Sequence, residues 1–215
     1  MFLVNDIEAR LERAPIVPLI QADDPEVAVS IARALIAGGL TVLEVVLRTE
    51  AALDCLRAVT EHVPEAITGA GTVLSRDHAE GAARAGARFL VSPGLHEDVV
   101  SAAADHRLPV FPGIATATEA QRAWNMGLRV VKFFPATQAG GVPMIKALAA
   151  VFRDIRFMPT GGVCAGNLAD YLALPSVIAC GGSWLTPQQA IASGNYDVVK
   201  ALSAEGVAAA ARVRG

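Results

Sequence analysis

Short β-branched runs recur along the chain, each closed by a small-residue turn and followed by an alanine-rich stretch with helical spacing. The runs fall at residues 16–20, 41–47, 66–70, 88–91, 109–111, 129–133, 156–158 and 177–179. Their spacing is roughly 20–27 residues, the length of one strand–helix unit. Eight such units in series predict parallel strands joined by right-handed helical crossovers. Residues 4–13 precede the first run and predict an extra helix. The expectation is a single α/β domain over residues 1–215, a (β/α)8 TIM barrel with an additional N-terminal helix. An open, doubly wound sheet is the alternative, because periodicity alone does not count barrel closure.

The punctuation between the runs is asymmetric. Gly38-Gly39, Gly86 and Gly127 fall where helices should end, at positions suited to a left-handed C-cap. On the other side, the runs lead into unusual turns such as Arg48-Thr49, Gly69-Ala70-Gly71-Thr72, Ser92-Pro93-Gly94 and Phe133-Phe134-Pro135. The chemically distinctive residues therefore collect at the strand C-termini, which is the active-site face of a barrel of this kind.

Composition narrows the class. Apolar residues make up 53% of the chain and charged residues 18%, against about 25% charged in an average domain. Part of the surface is therefore expected to be covered by other subunits. Net charge is −3 and no basic stripe is present, so nucleic acid is not an expected partner. No apolar run approaches the ~18 residues of a membrane span. Met1-Phe2-Leu3-Val4-Asn5-Asp6 lacks the basic start of a signal peptide. Cys55, Cys164 and Cys180 are scattered, which suits free thiols in a reducing cytoplasm. His62, His78, His96 and His106 lack metal-ligand spacing, and neither a metal nor an organic cofactor is expected.

Lys132 is the odd residue. Three lysines accompany fifteen arginines, and Lys146 and Lys200 belong to amphipathic helices. Lys132 instead lies within Val130-Val131-Lys132-Phe133-Phe134-Pro135. Strand alternation puts it on one face with Val130 and Phe134, with Val131 and Phe133 on the other. Burial disfavours the charged form of an amine, and a neutral amine can attack a carbonyl to form an imine that acts as an electron sink. A structural ion pair is the plainer reading of a buried lysine. In Leu43-Glu44-Val45-Val46-Leu47-Arg48, Glu44 and Arg48 share a parity and should point into the barrel and its mouth. Glu44 could shuttle protons, Arg48 could clamp a carboxylate, and the hydroxyl of Thr72 could join it. A mutual salt bridge is the alternative for Glu44. Thr160-Gly161-Gly162 and Gly181-Gly182-Ser183 follow the seventh and eighth runs, where barrels of this type hold phosphate on backbone N–H groups.

Together these stretches resemble the 2-keto-3-deoxy-6-phosphogluconate (KDPG) aldolase family, also called the 2-keto-4-hydroxyglutarate (KHG) aldolases. The resemblance rests on Leu43-Glu44-Val45-Val46-Leu47-Arg48-Thr49, Gly69-Ala70-Gly71-Thr72-Val73-Leu74, Val91-Ser92-Pro93-Gly94, Phe111-Pro112-Gly113-Ile114, Val131-Lys132-Phe133-Phe134-Pro135-Ala136, Phe157-Met158-Pro159-Thr160-Gly161-Gly162 and Gly181-Gly182-Ser183-Trp184-Leu185. It runs from about Leu11 to the C-terminus.

The resemblance implies a class I, metal-independent lyase of the Entner–Doudoroff route. Such an enzyme reversibly splits the phosphorylated 2-keto-3-deoxy sugar acid into pyruvate and D-glyceraldehyde 3-phosphate. It also implies a homotrimer. Under it, Lys132 forms the Schiff base, Glu44 is the general acid/base, and Arg48 and Thr72 contact the pyruvate carboxylate. Pro93 and Phe134 line the pyruvate pocket, and Gly161, Gly162 and Ser183 hold phosphate. Some members carry arginine where this chain has Gln21; Arg48 aligns the chain with the phosphogluconate branch. Thr137-Gln138-Ala139 and Val163-Cys164-Ala165-Gly166 depart from the family pattern at the aldehyde end, which leaves open the gluconate and galactonate epimers and 4-hydroxy-2-oxoglutarate. A phosphosugar epimerase or isomerase without imine chemistry, and a non-catalytic phosphosugar-binding barrel, are readings from other classes.

Overall fold

The computed structural model describes residues 2–214, with side chains from residue 9 onward and that of Ile7. Residues 1 and 215 of the expected domain lie outside the described residues. The chain opens with helix α1 (Phe2–Arg13) and then alternates strands and helices. The first half runs β1 (Ile16–Ile20), α2 (Pro25–Ala37), β2 (Val42–Val46), α3 (Ala52–His62), β3 (Ile67–Gly71), α4 (Arg76–Arg84), β4 (Leu90–Val91) and α5 (Glu97–Asp105). The second half runs β5 (Val110–Phe111), β6 (Gly113–Ile114), α6 (Ala117–Asn125), β7 (Val130–Phe133), α7 (Gly141–Val151), β8 (Arg156–Pro159), α8 (Leu168–Leu172), β9 (Cys180–Gly182), α9 (Gln188–Ala192) and α10 (Tyr196–Arg214).

All paired strands are parallel. One sheet has the order β5-β4-β3-β2-β1-β9 and a second the order β6-β7-β8. Pro112 alone separates β5 from β6, and single bridges join Phe157 to Val177 and Thr160 to Gly181.

Strand alternation sorts the apolar residues into two layers. Leu43, Val45, Val131 and Phe133 face outward and pack with helix residues such as Leu35 and Leu56. Val17, Val42, Ile67, Phe89, Phe111 and Met158 form a separate inner cluster. Ile7 and Leu11 of α1, four residues apart on one helix face, are buried in that inner cluster and close its lower end. Large and small residues alternate inside: the Phe89 ring occupies the space over Gly69 and packs at a tilt on Phe111, ring centres 5.7 Å apart. Each fully buried ring contributes roughly 1.5–3 kcal/mol by leaving water.

Seven of the eight expected runs coincide with strands to within a few residues. The eighth is displaced. Residues 177–179 were expected as the strand, with Gly181-Gly182 in the turn beyond it. Val177 makes an isolated parallel bridge to Phe157 and Ile178 N–H donates to the Phe157 carbonyl, but Val177 N–H closes a turn on the Leu174 carbonyl, and the ladder with β1 begins only at Cys180. Gly181 and Gly182 are thus strand residues paired with Val17 and Pro18. They are glycines because the Thr160 hydroxyl and the Trp184 ring lie where their Cβ atoms would be.

Cys55 and Cys180 are buried and Cys164 is exposed. Burial pushes the Cys55 thiol up to about 11, helped by Asp24, and the Cys180 thiol up to about 12. Both folded-state values lie above the ordinary value of 9.0, so the neutral thiols favour folding below pH 9 and that contribution is lost as pH rises toward 11–12. Ellman's reagent at pH 8 should therefore find one fast thiol in the native chain, Cys164, and all three in denaturant. Fast modification of a second thiol in the native chain would contradict the burial.

Candidate active site

Lys132 sits on β7 with its amine 3.6 Å from Glu44 Oε1 on β2. Their side chains are 4% and 1% exposed. Both face the interior, as parity predicts: Val130 below Lys132 packs on the inner cluster, and Val42 below Glu44 belongs to it. Neither carboxylate oxygen of Glu44 has a hydrogen-bond partner among the described residues. A buried carboxylate with unclaimed lone pairs is costly unless a cation or an incoming group satisfies it. The Lys132 amine also lies 5.3 Å from the centre of the Phe134 ring.

Glu44 owes its place to Gly71. A Cβ at Gly71, the last residue of β3, would overlap the Glu44 carboxyl group. The register pairs Val46 with Gly71 and Glu44 with Gly69, so β3 offers two glycines beside the carboxylate's strand. In sequence, Gly71 stands out only as part of the family motif; the signal for this role is a second glycine two residues after Gly69, on the same strand face. Gly71→Ala is expected to lower turnover by about two orders of magnitude by displacing the carboxylate. It should also cost about 1–3 kcal/mol of stability through overpacking. Wild-type turnover in a folded Gly71→Ala chain would show that the carboxylate's position is immaterial.

Thr72 follows directly, with a left-handed φ of 58° that is uncommon for a β-branched residue. Its hydroxyl accepts a hydrogen bond from Arg48 Nε–H at 3.1 Å. Arg48 is exposed beyond the end of β2, and holding Nε fixes the plane of a guanidinium fork whose other donors can face a carboxylate.

Pro93 reaches the same region through a close backbone approach. Gly113 pairs in register with Lys132, and a Cβ there would strike the Pro93 carbonyl. Gly161 abuts the Phe134 ring, since a Cβ on it would stand 3.3 Å from that ring. Gly161 and Gly162 take φ of 94° and 78°, a conformation glycine enters freely and other residues rarely. Thr160 is buried, donates weakly to the Met158 carbonyl at 3.4 Å, and packs over Gly181.

The structure thus links Arg48, Thr72, Glu44, Lys132, Phe134, Thr160, Gly161 and Gly162 along the strand C-termini, with Pro93 alongside. Gly181 and Gly182 lie lower, inside β9. Ser183 stands exposed just after β9, and among the described residues no hydrogen bond joins its side chain to the Gly161–Gly162 turn. No three His, Cys, Asp or Glu side chains converge as a metal site among the described residues, and no described helix is long and apolar enough to cross a membrane.

The profile of the KDPG and KHG aldolase family matches residues 7–202. The chain belongs to this family. The KHG/KDPG aldolase of Escherichia coli is 48% identical over 200 residues, covering 93% of this chain and 94% of that one. Among solved structures, the Legionella pneumophila KDPG aldolase superposes with a TM-score of 0.88 at 39% identity, covering 92% of this chain and 96% of its own; it holds pyruvate captured at low pH as a covalent carbinolamine. The Zymomonas mobilis KDPG aldolase, solved with 3-phosphoglycerate, superposes with a TM-score of 0.87 at 40% identity, covering 95% of this chain and 96% of its own. The KDPG/KHG aldolase fold therefore carries the buried Lys132–Glu44 pair at its strand C-termini in this chain.

Proposed function

We propose that this chain is a class I aldolase that reversibly cleaves 2-keto-3-deoxy-6-phosphogluconate to pyruvate and D-glyceraldehyde 3-phosphate. The observation that carries the reading is the buried Lys132 amine beside a Glu44 carboxylate with no other partner. The covalent carbinolamine of the Legionella relative supports it. Lys132 passes a proton to Glu44 and its amine adds to the C2 carbonyl, forming a C–N bond as the C=O π bond opens to give a carbinolamine. Loss of water leaves a protonated imine. The C4 hydroxyl gives its proton to the Glu44 carboxylate, the C3–C4 bond breaks, and its electron pair passes into the imine to form an enamine as the aldehyde departs. Protonation at C3 and hydrolysis release pyruvate and the free lysine. Glu44 moves the protons of carbinolamine formation, dehydration and enamine protonation.

Arg48 and Thr72 hold the substrate carboxylate, and Pro93 and Phe134 wall the pyruvate end. Thr160, Gly161, Gly162, Gly181, Gly182 and Ser183 belong to the phosphate end. Of these, the Gly162 N–H, with the neighbouring Val163 N–H, and the hydroxyl of the exposed Ser183 serve as the anion donors, while Gly181 and Gly182 shape the wall from within β9. The two sheets, joined through Pro112 and the bridges to β8, form one closed (β/α)8 barrel within the single domain, with β5 and β6 as a single stave and α1 as its floor. The chain acts in the cytoplasm in the Entner–Doudoroff route, and its low surface charge suits a homotrimer, which sedimentation equilibrium would measure. The galactonate epimer and 4-hydroxy-2-oxoglutarate are the competing substrates. Pyruvate release, coupled to lactate dehydrogenase, should be fastest on the gluconate phosphate; faster release from the galactonate epimer would reassign the substrate, and no release from any would refute the activity.

A further inference from the structure

The turn after β8 is pinned from both sides. On one side, Thr137 N–H donates to the Gly161 carbonyl at 3.0 Å, and the Thr137 hydroxyl fills the space where a Gly162 Cβ would be. On the other, a single side chain makes two hydrogen bonds: Asn167 Nδ2–H donates to the Gly162 carbonyl at 2.9 Å, and Asn167 Oδ1 accepts from Cys164 N–H at 2.9 Å. In a trans peptide the N–H points opposite to the C=O of the same unit. Holding the Gly161 carbonyl therefore aims the Gly162 N–H outward, and holding the Gly162 carbonyl aims the Val163 N–H. Two consecutive peptide planes, each free to swing at a glycine, are fixed in one orientation.

We infer that Asn167 is the positioning residue for the phosphate end of the substrate. It acts through the backbone, by locking the Gly162–Val163 peptide so that the Val163 N–H meets the anion beside the Gly162 N–H. The inference rests on the aldolase reading above. Backbone donors stabilise an anion in proportion to their preorganisation, because donors already aimed lose no orientation on binding. Thr137 cannot do this alone, since it holds only the preceding peptide.

The test compares cleavage of the phosphorylated sugar acid with that of 2-keto-3-deoxygluconate, which lacks phosphate, and uses inorganic phosphate as a competitive inhibitor. For Asn167→Ala, KM for the phosphorylated substrate and the inhibition constant of inorganic phosphate should both rise about tenfold or more, the equivalent of a lost hydrogen bond to an anion site. kcat and the kcat/KM for the unphosphorylated substrate should stay near wild type. Equal losses on both substrates, or an unchanged KM, would overturn the inference in favour of a purely structural turn. Asn167→Asp retains the acceptor for Cys164 N–H, which preserves the turn, but loses the donor to Gly162; a wild-type KM in this variant overturns the inference too. Failure of the underlying reading looks different: the wild-type chain itself would show no preference for the phosphorylated substrate.

Discussion

Lys132→Ala is expected to lower the cleavage rate by on the order of 10⁴-fold or more, the scale seen when a covalent nucleophile is removed. The variant should also fail to take up pyruvate irreversibly when borohydride is added. In the wild type, the same treatment should attach one reduced pyruvyl group to Lys132, identified by peptide mass spectrometry. An active Lys132→Ala chain, or a wild-type chain whose Lys132 stays unmodified during turnover, would refute the imine. The trapping experiment also separates this reading from an epimerase or a binding barrel, which have no use for the imine. Folding must be checked alongside. Removing one partner of a buried ion pair leaves the other charge unpaired, at a cost of about 3–5 kcal/mol.

Glu44→Gln is expected to slow turnover by roughly 10²–10⁴-fold, the range of a general acid/base. Pyruvate binding should survive, because Arg48 and Thr72, which hold the carboxylate, bond each other and not Glu44. Lost pyruvate binding with normal turnover would contradict the role. The buried pair adds a thermodynamic corollary. Lys132→Met combined with Glu44→Gln removes both charges and should melt at or above the wild-type temperature, since a buried pair is often replaced by neutral groups without loss of stability. Such an inert but more stable chain would show that the pair is retained for chemistry. A double variant less stable than either single variant would show that it is retained for folding.

Much of this site could be read from strand parity. Alternation put Lys132 on the face of Val130 and Phe134 and set Glu44 inward opposite Leu43 and Val45, and the two layers of the core follow that division. Periodicity also fixed the order of elements, because each helix must cover the strand pair it connects. Three features were not legible. The last strand slipped because Val177-Ile178-Ala179 is locally the better strand, whereas the chain meets β1 only at Cys180; a glycine pair reads as a turn unless one knows that Thr160 and Trp184 need its space. The room that Gly71 makes for Glu44 depends on the register between β2 and β3, which no single run encodes. Asn167 escaped because its two partners are backbone atoms, and a side chain that serves backbone leaves no pattern of complementary residue types.

The burial of Ile7 and Leu11 beneath the inner cluster has a consequence for traffic. With hydrocarbon from α1 packed beneath the inner layer, the open direction for the lysine amine is toward the strand C-termini, where Arg48 and Gly162 are exposed. Substrate, departing aldehyde and the water that ends the cycle must queue at the same opening. On the aldolase reading, the phosphorylated half would itself close that opening and shelter the enamine from stray protons until it leaves.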